Sequence, residues 1–365
     1  MITQRNGLRL VGLLGAAVLA LSGCNSAVDA GTGTPAGSAS NGGGENFKIA
    51  FLMPDIASTR YELQDKPLFE AKIKQLCNGC EVVYLNANAD ASKQQQQANS
   101  AFAQGVKAMV LDPVDSAAAA STVQAANQAK IPIIAYDRPI PKAKADYYVS
   151  FDNEKIGELI AQDLVDKLKA DNASGGLLQI NGSPTDAAAG LIKKGVHNVV
   201  DTSGFKLLAE YDTPEWAPAK AQDWTSGQIT QYQKDIAGVV AANDGTGGGA
   251  VAAFKAAGVN PVPPVTGNDA ELAAIQRIVA GDQYNTISKP IKTVAEAAAE
   301  TAYAFAKGEK PAGETTLFDT PSKLFTPVVV TQANVKKEMV DSDIMKASDI
   351  CTDAYQAQCD KLGIS

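Results

Sequence analysis

IPIIAYDRP, residues 131–139, is an apolar run that ends abruptly in an acid, a base and a proline. A strand buried on both faces reads as such a run. Adjacent residues on a strand point to opposite faces, so Asp137 and Arg138 are not placed to pair with each other. The pattern recurs. KIAFLMP (48–54), EVVYL (81–85), KAMVLDP (107–113) and YYVSFDN (147–153) have the same character, and Ala-rich helical runs lie near 62–76, 91–104, 116–129 and 154–169. The rhythm resumes with GLLQING (176–182), FKLLAEYD (205–212), AGVVAAND (237–244), VPPVTGND (262–269), QYNTISK (283–289) and TPVVVTQ (326–332). Strands with helices between them predict βαβ units and parallel sheets. Two consecutive series predict an α/β fold of two doubly wound lobes.

Strand after strand stays apolar and then ends in a hydrogen-bonding group: Asp55, Asn86, Asp112, Asp137-Arg138, Asp152-Asn153, Asp212, Asn243-Asp244, Asn268-Asp269 and Lys289. Doubly wound sheets bind ligands outside the carboxyl ends of their strands. Facing lobes would turn both edges into one cleft. Arg60, Arg138 and Lys289 donate only, Asp137 and Asp269 accept only, and Asn243 does both. A nucleotide would meet mostly positive groups and helix N-termini, whereas this mixture suits a neutral polyol. Tyr61 and Trp216 add flat apolar faces with polar edges, one in each half.

The N-terminus points outside the cytoplasm. Arg5 and Arg9 precede LVGLLGAAVLAL (10–21), which is shorter than the ~20 residues of a membrane span and fits a signal-peptide core. Leu21-Ser22-Gly23-Cys24 resembles the bacterial lipobox, which implies lipidation of Cys24 and anchoring to the outer face of the cell membrane. Residues 1–23 are thus read as leader and 24–46, rich in Gly, Ser, Ala and Thr, as a flexible tether. The net charge of −8 argues against a nucleic-acid surface. A body of roughly 320 residues exceeds one ordinary core. Besides Cys24 the chain has Cys77, Cys80, Cys351 and Cys359, which allow three pairings; the local pairs 77–80 and 351–359 are favoured. Eight residues of continuous helix would separate the latter by ~12 Å, so the chain must fold back there. A redox C-x-x-C sits at a helix N-terminus, whereas Cys77-x-x-Cys80 follows a helix.

AYDRPI, YYVSFDNEKIGE, INGSPTDA, VVAANDGTGGGAVAA, TGNDAELAAIQRIVAGDQ and SKPI, in that order, resemble the sugar-binding proteins of bacterial ABC importers. The likeness is to the xylose-binding group of the type I periplasmic, ribose/galactose-binding family, and it runs from about residue 48 to 335. It implies two Rossmann-like lobes joined by three crossings, near Asp152-Asn153, Lys289-Pro290 and Pro321–Phe325. The lobes become 47–152 plus 290–322 and 153–289 plus 323–365. It implies monosaccharide contacts from Arg60, Tyr61, Asp137, Arg138, Trp216, Asn243, Asp269 and Lys289, with no catalytic residue, metal or cofactor. The partners implied are an ABC permease and a membrane reached through the lipid, for a monomer without nucleic acid. Two departures stand out. Ala187, Ala188 and Ala189 replace asparagines after the SP-x-D turn, so an amide is missing or Asp186 substitutes, and the stretch from Thr59 to Phe69 is one residue longer than the pattern.

Other readings carry less. DGTGGGA (244–250) lacks the Lys-Ser/Thr ending of a phosphate loop, and its glycines fit close packing. His197, the only histidine, has no nucleophile to serve. Trp224 reads as packing and Gln94–Gln97 as the solvated face of a helix. Asp137 and Asp269 form a glycosidase-like pair on paper, but cationic or amide neighbours would hold their pKa values too low for a general acid. A sensor that presents its ligand to a receptor instead of a permease, or a binder of a furanose-like signalling molecule, shares the fold. A sugar-responsive repressor would need a DNA-binding headpiece, which residues 1–46 cannot supply.

Overall fold

The computed structural model describes residues 46–364; the leader, Cys24 and nearly all of the tether lie outside them. The first half runs β1 (Lys48–Met53), α1 (Lys66–Leu76), β2 (Glu81–Asn86), α2 (Ala91–Ala103), β3 (Ala108–Leu111), α3 (Ala120–Ala129), β4 (Ile133–Tyr136) and β5 (Tyr147–Phe151). Next come α4 (Asn153–Ala170), β6 (Gly176–Asn181), α5 (Ala187–Val200), β7 (Lys206–Asp212), α6 (Pro218–Tyr232), β8 (Ile236–Ala241), α7 (Asp244–Ala256), α8 (Leu272–Ala280) and β9 (Asn285–Ser288). The chain then returns through α9 (Ile291–Ala306), β10 (Thr315–Leu317) and β11 (Thr320–Phe325), and closes with β12 (Val328–Thr331), α10 (Ala347–Ile350) and α11 (Gln356–Leu362).

One sheet has seven strands in the order β10-β11-β5-β4-β3-β1-β2, parallel except for β10. A second has the order β7-β6-β8, all parallel, and β9 pairs antiparallel with β12. Along β1, Ile49, Phe51 and Met53 pack on one face of the sheet and Ala50 and Leu52 on the other. Both faces are therefore buried, as the unbroken apolar runs require. In each sheet the order reverses beside its first strand, β1 or β6, which opens a crevice at the carboxyl ends.

Several expectations need revision. VPPVTGND forms no strand: Val265 makes a single bridge to Val239. Its prolines lack N–H groups, although the Pro264 carbonyl still accepts from the Val239 N–H. TPSKLF, read only as a crossing, is strand β11, paired with β5 as far as Phe325↔Phe151. The larger sheet thus runs past residue 322, where the sequence places a change of lobe. The glutamine run is only partly a solvated face: Gln96 is exposed, and Gln95 and Gln97 are half-buried. Gln94 is buried, donates to the Asp112 carbonyl at 2.8 Å and accepts from the Val114 N–H at 2.8 Å. A side-chain amide can mimic a backbone partner, and Gln94 uses this to tie α2 to the loop after β3. Trp224 does pack, stacked on Tyr211. A π turn, Tyr61–Asp65, lies ahead of α1, within the stretch that the resemblance reads as one residue longer; such turns are frequent at functional sites.

Cys77 and Cys80 have Cα atoms 5.3 Å apart, and Cys351 and Cys359 5.9 Å apart, within the span of disulfide partners. The second pair is close because the chain leaves α10 and folds back through a loop into α11. Ile350, Cys359 and Ile364 bury themselves against Ile275, Val330 and Met339.

Glycines set the contact between α4 and α5. A Cβ on Gly157 would collide with the Ile192 carbonyl, and one on Gly195 with the Glu154 carbonyl. Each helix presents its glycine to the other's backbone. Gly195→Ala is therefore expected to lower stability by about 1–3 kcal/mol through overpacking, read from the midpoint of urea unfolding; an unchanged midpoint would contradict this packing.

Candidate functional site

The carboxyl-end loops of the two larger sheets meet, together with the end of β9, around a small cavity. All eight residues singled out from the sequence line it: Arg60 and Tyr61 after β1, Asp137 and Arg138 after β4, Trp216 after β7, Asn243 after β8, Asp269, and Lys289 after β9. Ser58, Asn153, Asp186, Ala188, Ile192 and Asn268 complete the wall.

The backbone bends to bring these groups inward. Asp137, Trp216 and Asp269 have φ values of 56°, 55° and 102°, a region that non-glycine residues seldom adopt. The bend after β4 lets both Asp137 and Arg138 border the cavity, although an extended strand would send them apart. Two carbonyl contacts hold it: the Asp137 carbonyl accepts from the Tyr148 and Ser150 hydroxyls at 2.7 and 2.9 Å. Trp216 lies over Gly182, where any Cβ would strike the indole, and its Nε1 donates to Asp186 at 3.0 Å. Sequence reading marked Asp186 as a substitute for missing amides. It caps α5, bonds Trp216 and sits 3.2 Å from Arg138.

Charges alternate across the seam between the sheets. Arg138 lies 2.9 Å from Asp55, 3.4 Å from Asp112 and 3.2 Å from Asp186. Arg60 is held by Asp65 at 2.9 Å and reaches Asp137 at 3.4 Å and Asp269 at 3.5 Å. Lys289 lies 2.6 Å from Asp269 and 3.9 Å from Asp137. The cavity wall itself carries three cations, Arg60, Arg138 and Lys289, and three carboxylates, Asp137, Asp186 and Asp269. Burial alone would raise Asp137, but Arg60, Lys289 and Arg138 outweigh it and hold its carboxyl down to about 2. An acid so firmly ionised cannot serve as a proton donor at neutral pH. Burial pushes Asp112 and Asp186 up, against the pull of Arg138.

Not every polar strand end faces the cavity. Asp152 caps α4 and Asp212 pairs with Lys193. Asn86 bonds the Asp55 carbonyl and Glu62. Asn243 caps α7: its Oδ1 accepts from the Thr246 N–H and hydroxyl. Its amide nitrogen is thus left as its group for a ligand. DGTGGGA forms the start of α7, where a Cβ on Gly247 would press on the Thr266 carbonyl and one on Gly249 would strike that of Pro218, so these glycines serve packing. His197 lies elsewhere, bonded to Asp201 and Glu210. Among the described residues no His, Cys, Asp or Glu cluster is arranged to hold a metal ion, and no helix is long and apolar enough to cross a membrane.

The halves also touch directly beside the cavity. Ser116, after β3, donates its N–H to the Thr185 carbonyl at 3.0 Å, and its Oγ accepts from the Ala187 N–H at 3.1 Å. Thr185 Oγ1 donates to the Val114 carbonyl at 3.4 Å.

The model of a periplasmic binding protein domain matches residues 49–310. The chain is 35% identical to the D-xylose-binding periplasmic protein of Escherichia coli (strain K12) over 84% of this chain and 93% of that one. It is 33% identical to the protein of the same name from Haemophilus influenzae, over 81% and 90%. Its structure resembles that of a carbohydrate transporter solute-binding protein from Chloroflexus aurantiacus in complex with D-glucose, with a TM-score of 0.77, 26% identity, and 84% and 98% of the two chains covered.

Behind the cavity, Asp244 accepts from Gln283, Thr286 and the Glu271 N–H. Burial, with Glu271 and Asp269 nearby, pushes it up to about 8, and burial with Asp269 pushes Glu271 up to about 7. Both carboxyls therefore hold a proton in the folded chain over a range, from about pH 4 upward, where the unfolded chain has lost it. Stability must then fall as pH rises through that window. The unfolding temperature is expected to drop between about pH 5 and about pH 8, and Asp244→Asn should flatten the slope; a rising wild-type profile would contradict the assignment.

Proposed function

We propose that this chain, a member of the periplasmic binding protein family, is the substrate-binding component of an ABC importer and captures one monosaccharide, D-xylose or a related pentose or hexose. The observation that carries the reading is the charge balance of the cavity. Three cations and three carboxylates face one small volume, and they come from loops of both halves. A charged ligand would leave that set unbalanced in a buried site. A neutral ring rich in hydroxyls can accept from Arg60, Arg138, Lys289 and Asn243 while it donates to Asp137, Asp186 and Asp269. Tyr61 and Trp216 offer aromatic surface for its C–H faces. The three names among the relatives, two for D-xylose and one bound to D-glucose, agree with that class.

Mechanism follows from the placement of these groups. Residues 47–152 with 290–325 make one lobe, and 153–289 with 326–365 the other, the third crossing lying just past β11. A ligand touches both lobes only when they close, so its differential affinity shifts the population toward the closed form. The permease then reads the closed shape. Residues 1–23 act as leader, Cys24 carries the lipid, and 24–46 tether a monomeric body at the outer face of the membrane. Cys77–Cys80 and Cys351–Cys359 act as disulfide staples, consistent with export.

Arg138→Ala is expected to weaken monosaccharide binding at least ~100-fold in calorimetry, because it removes charge-assisted bonds. It also strips compensation from three carboxylates, so Lys289→Met is the milder companion, with a loss of about 10-fold and an unchanged circular dichroism spectrum. Unaltered affinity in both would refute the site. Cys24→Ala should move the protein from the membrane fraction to the soluble one in a homologous host; retention on the membrane would refute the anchor.

A further inference from the structure

The cavity wall holds polar side chains beyond the eight recognised residues. Asn243 is reduced to a donor by its capping role. The carboxylates of Asp137 and Asp269 are already engaged by Arg60 and Lys289. Each carboxylate keeps further lone pairs, but one acceptor beside them has no partner at all. Asn268 is 2% exposed, and its Oδ1 has no hydrogen-bond partner among the described residues. Similar orphan oxygens occur on Gln97, Asp112, Gln179, Thr213 and Asn285, but of this set only Asn268 borders the cavity. Leaving a buried acceptor unpaired is costly, and such groups in native structures call for an explanation.

The local backbone is fixed around it. The Asn268 carbonyl accepts from the Asp244 N–H at 2.9 Å, and the Asp269 N–H donates to the Ile287 carbonyl at 3.1 Å. Positive φ at Asp269 and Ala270, 102° and 51°, takes the chain out of the strand, so consecutive side chains, Asn268 and Asp269, line one cavity instead of opposite faces. Strain of this kind persists where function requires it.

We propose that Asn268 is a specificity-determining residue whose Oδ1 accepts a hydrogen bond from one particular hydroxyl of the bound sugar. The inference rests on the sugar-binding reading above and adds a contact to it. A ligand lacking that hydroxyl leaves the oxygen buried and unpaired, which is how polar sites reject deoxy analogues.

The test uses the full-length protein with D-xylose and D-glucose, and then the monodeoxy derivatives of whichever binds tighter. Asn268→Ala should weaken the parent sugar by about 10- to 100-fold. One monodeoxy derivative should bind wild type and variant equally, while the others keep the full loss. The ligand-free melting temperature should stay the same or rise, since the orphan oxygen is gone; a purely structural role predicts a fall. Wild-type affinity in the variant, or an equal loss for every derivative with a lowered ligand-free melting temperature, overturns the assignment. A wild type that binds neither sugar overturns the functional reading itself and this contact with it, a result distinguishable from failure of the variant alone.

Discussion

A guanidinium buried at the seam between two sheets organises this molecule. Arg138 is almost fully enclosed and has Asp55, Asp112 and Asp186 within 3.4 Å. Removing such a charge from water is expensive unless partners and hydrogen bonds compensate it. Two of its carboxylates come from the larger sheet, and the third caps the first helix after β6. The compensation is complete only when the two halves stand in the arrangement described. The Pro113 carbonyl and the Tyr61 hydroxyl complete its shell, so the same charge also fixes the ring that borders the cavity.

The rest of the site follows from that need. Arg60 repeats the arrangement two strands away, clamped by Asp65 within its own half and reaching Asp269 across the seam. Asp65 owes its position to the π turn, and it also accepts from Tyr136 at the end of β4. Within each half, positive and negative groups are thus held at fixed spacing before any ligand arrives. Preorganisation of this sort limits the ordering cost of binding. It also gives these buried ionisable groups a structural role: they hold the hydrogen-bonding edge rigid.

Much of this was readable in the sequence, for identifiable reasons. Central strands buried on both faces give apolar runs, and residues 131–139 announced both the strand and the charges beyond it. Strand β11 was hidden because Pro321, Ser322 and Lys323 do not look like a buried strand, although Ser322 pairs with Tyr148. VPPVTGND misled in the opposite sense, since composition alone does not weigh the missing N–H groups. Gln94 was misread because a polar run at helical spacing resembles a wetted face, and only the packed loop after β3 reveals its two backbone contacts. At the site, residue type identified the donors and acceptors. It could not reveal that Asn243 spends its oxygen on a helix cap, nor that backbone bends bring Asn268 to the same wall as Asp269.

The contacts of Ser116 with Thr185 and Ala187 have a consequence for how tightly any guest is held. They join the halves through backbone and hydroxyl groups and involve none of the eight residues assigned to the guest. Some of the free energy of shutting is therefore intrinsic to the polypeptide, and the guest need supply only the remainder. Retention could then be strengthened or relaxed at that outer clasp while the selectivity of the chamber behind it stayed the same, so a lineage of such proteins could retune affinity and choice of cargo as separate traits.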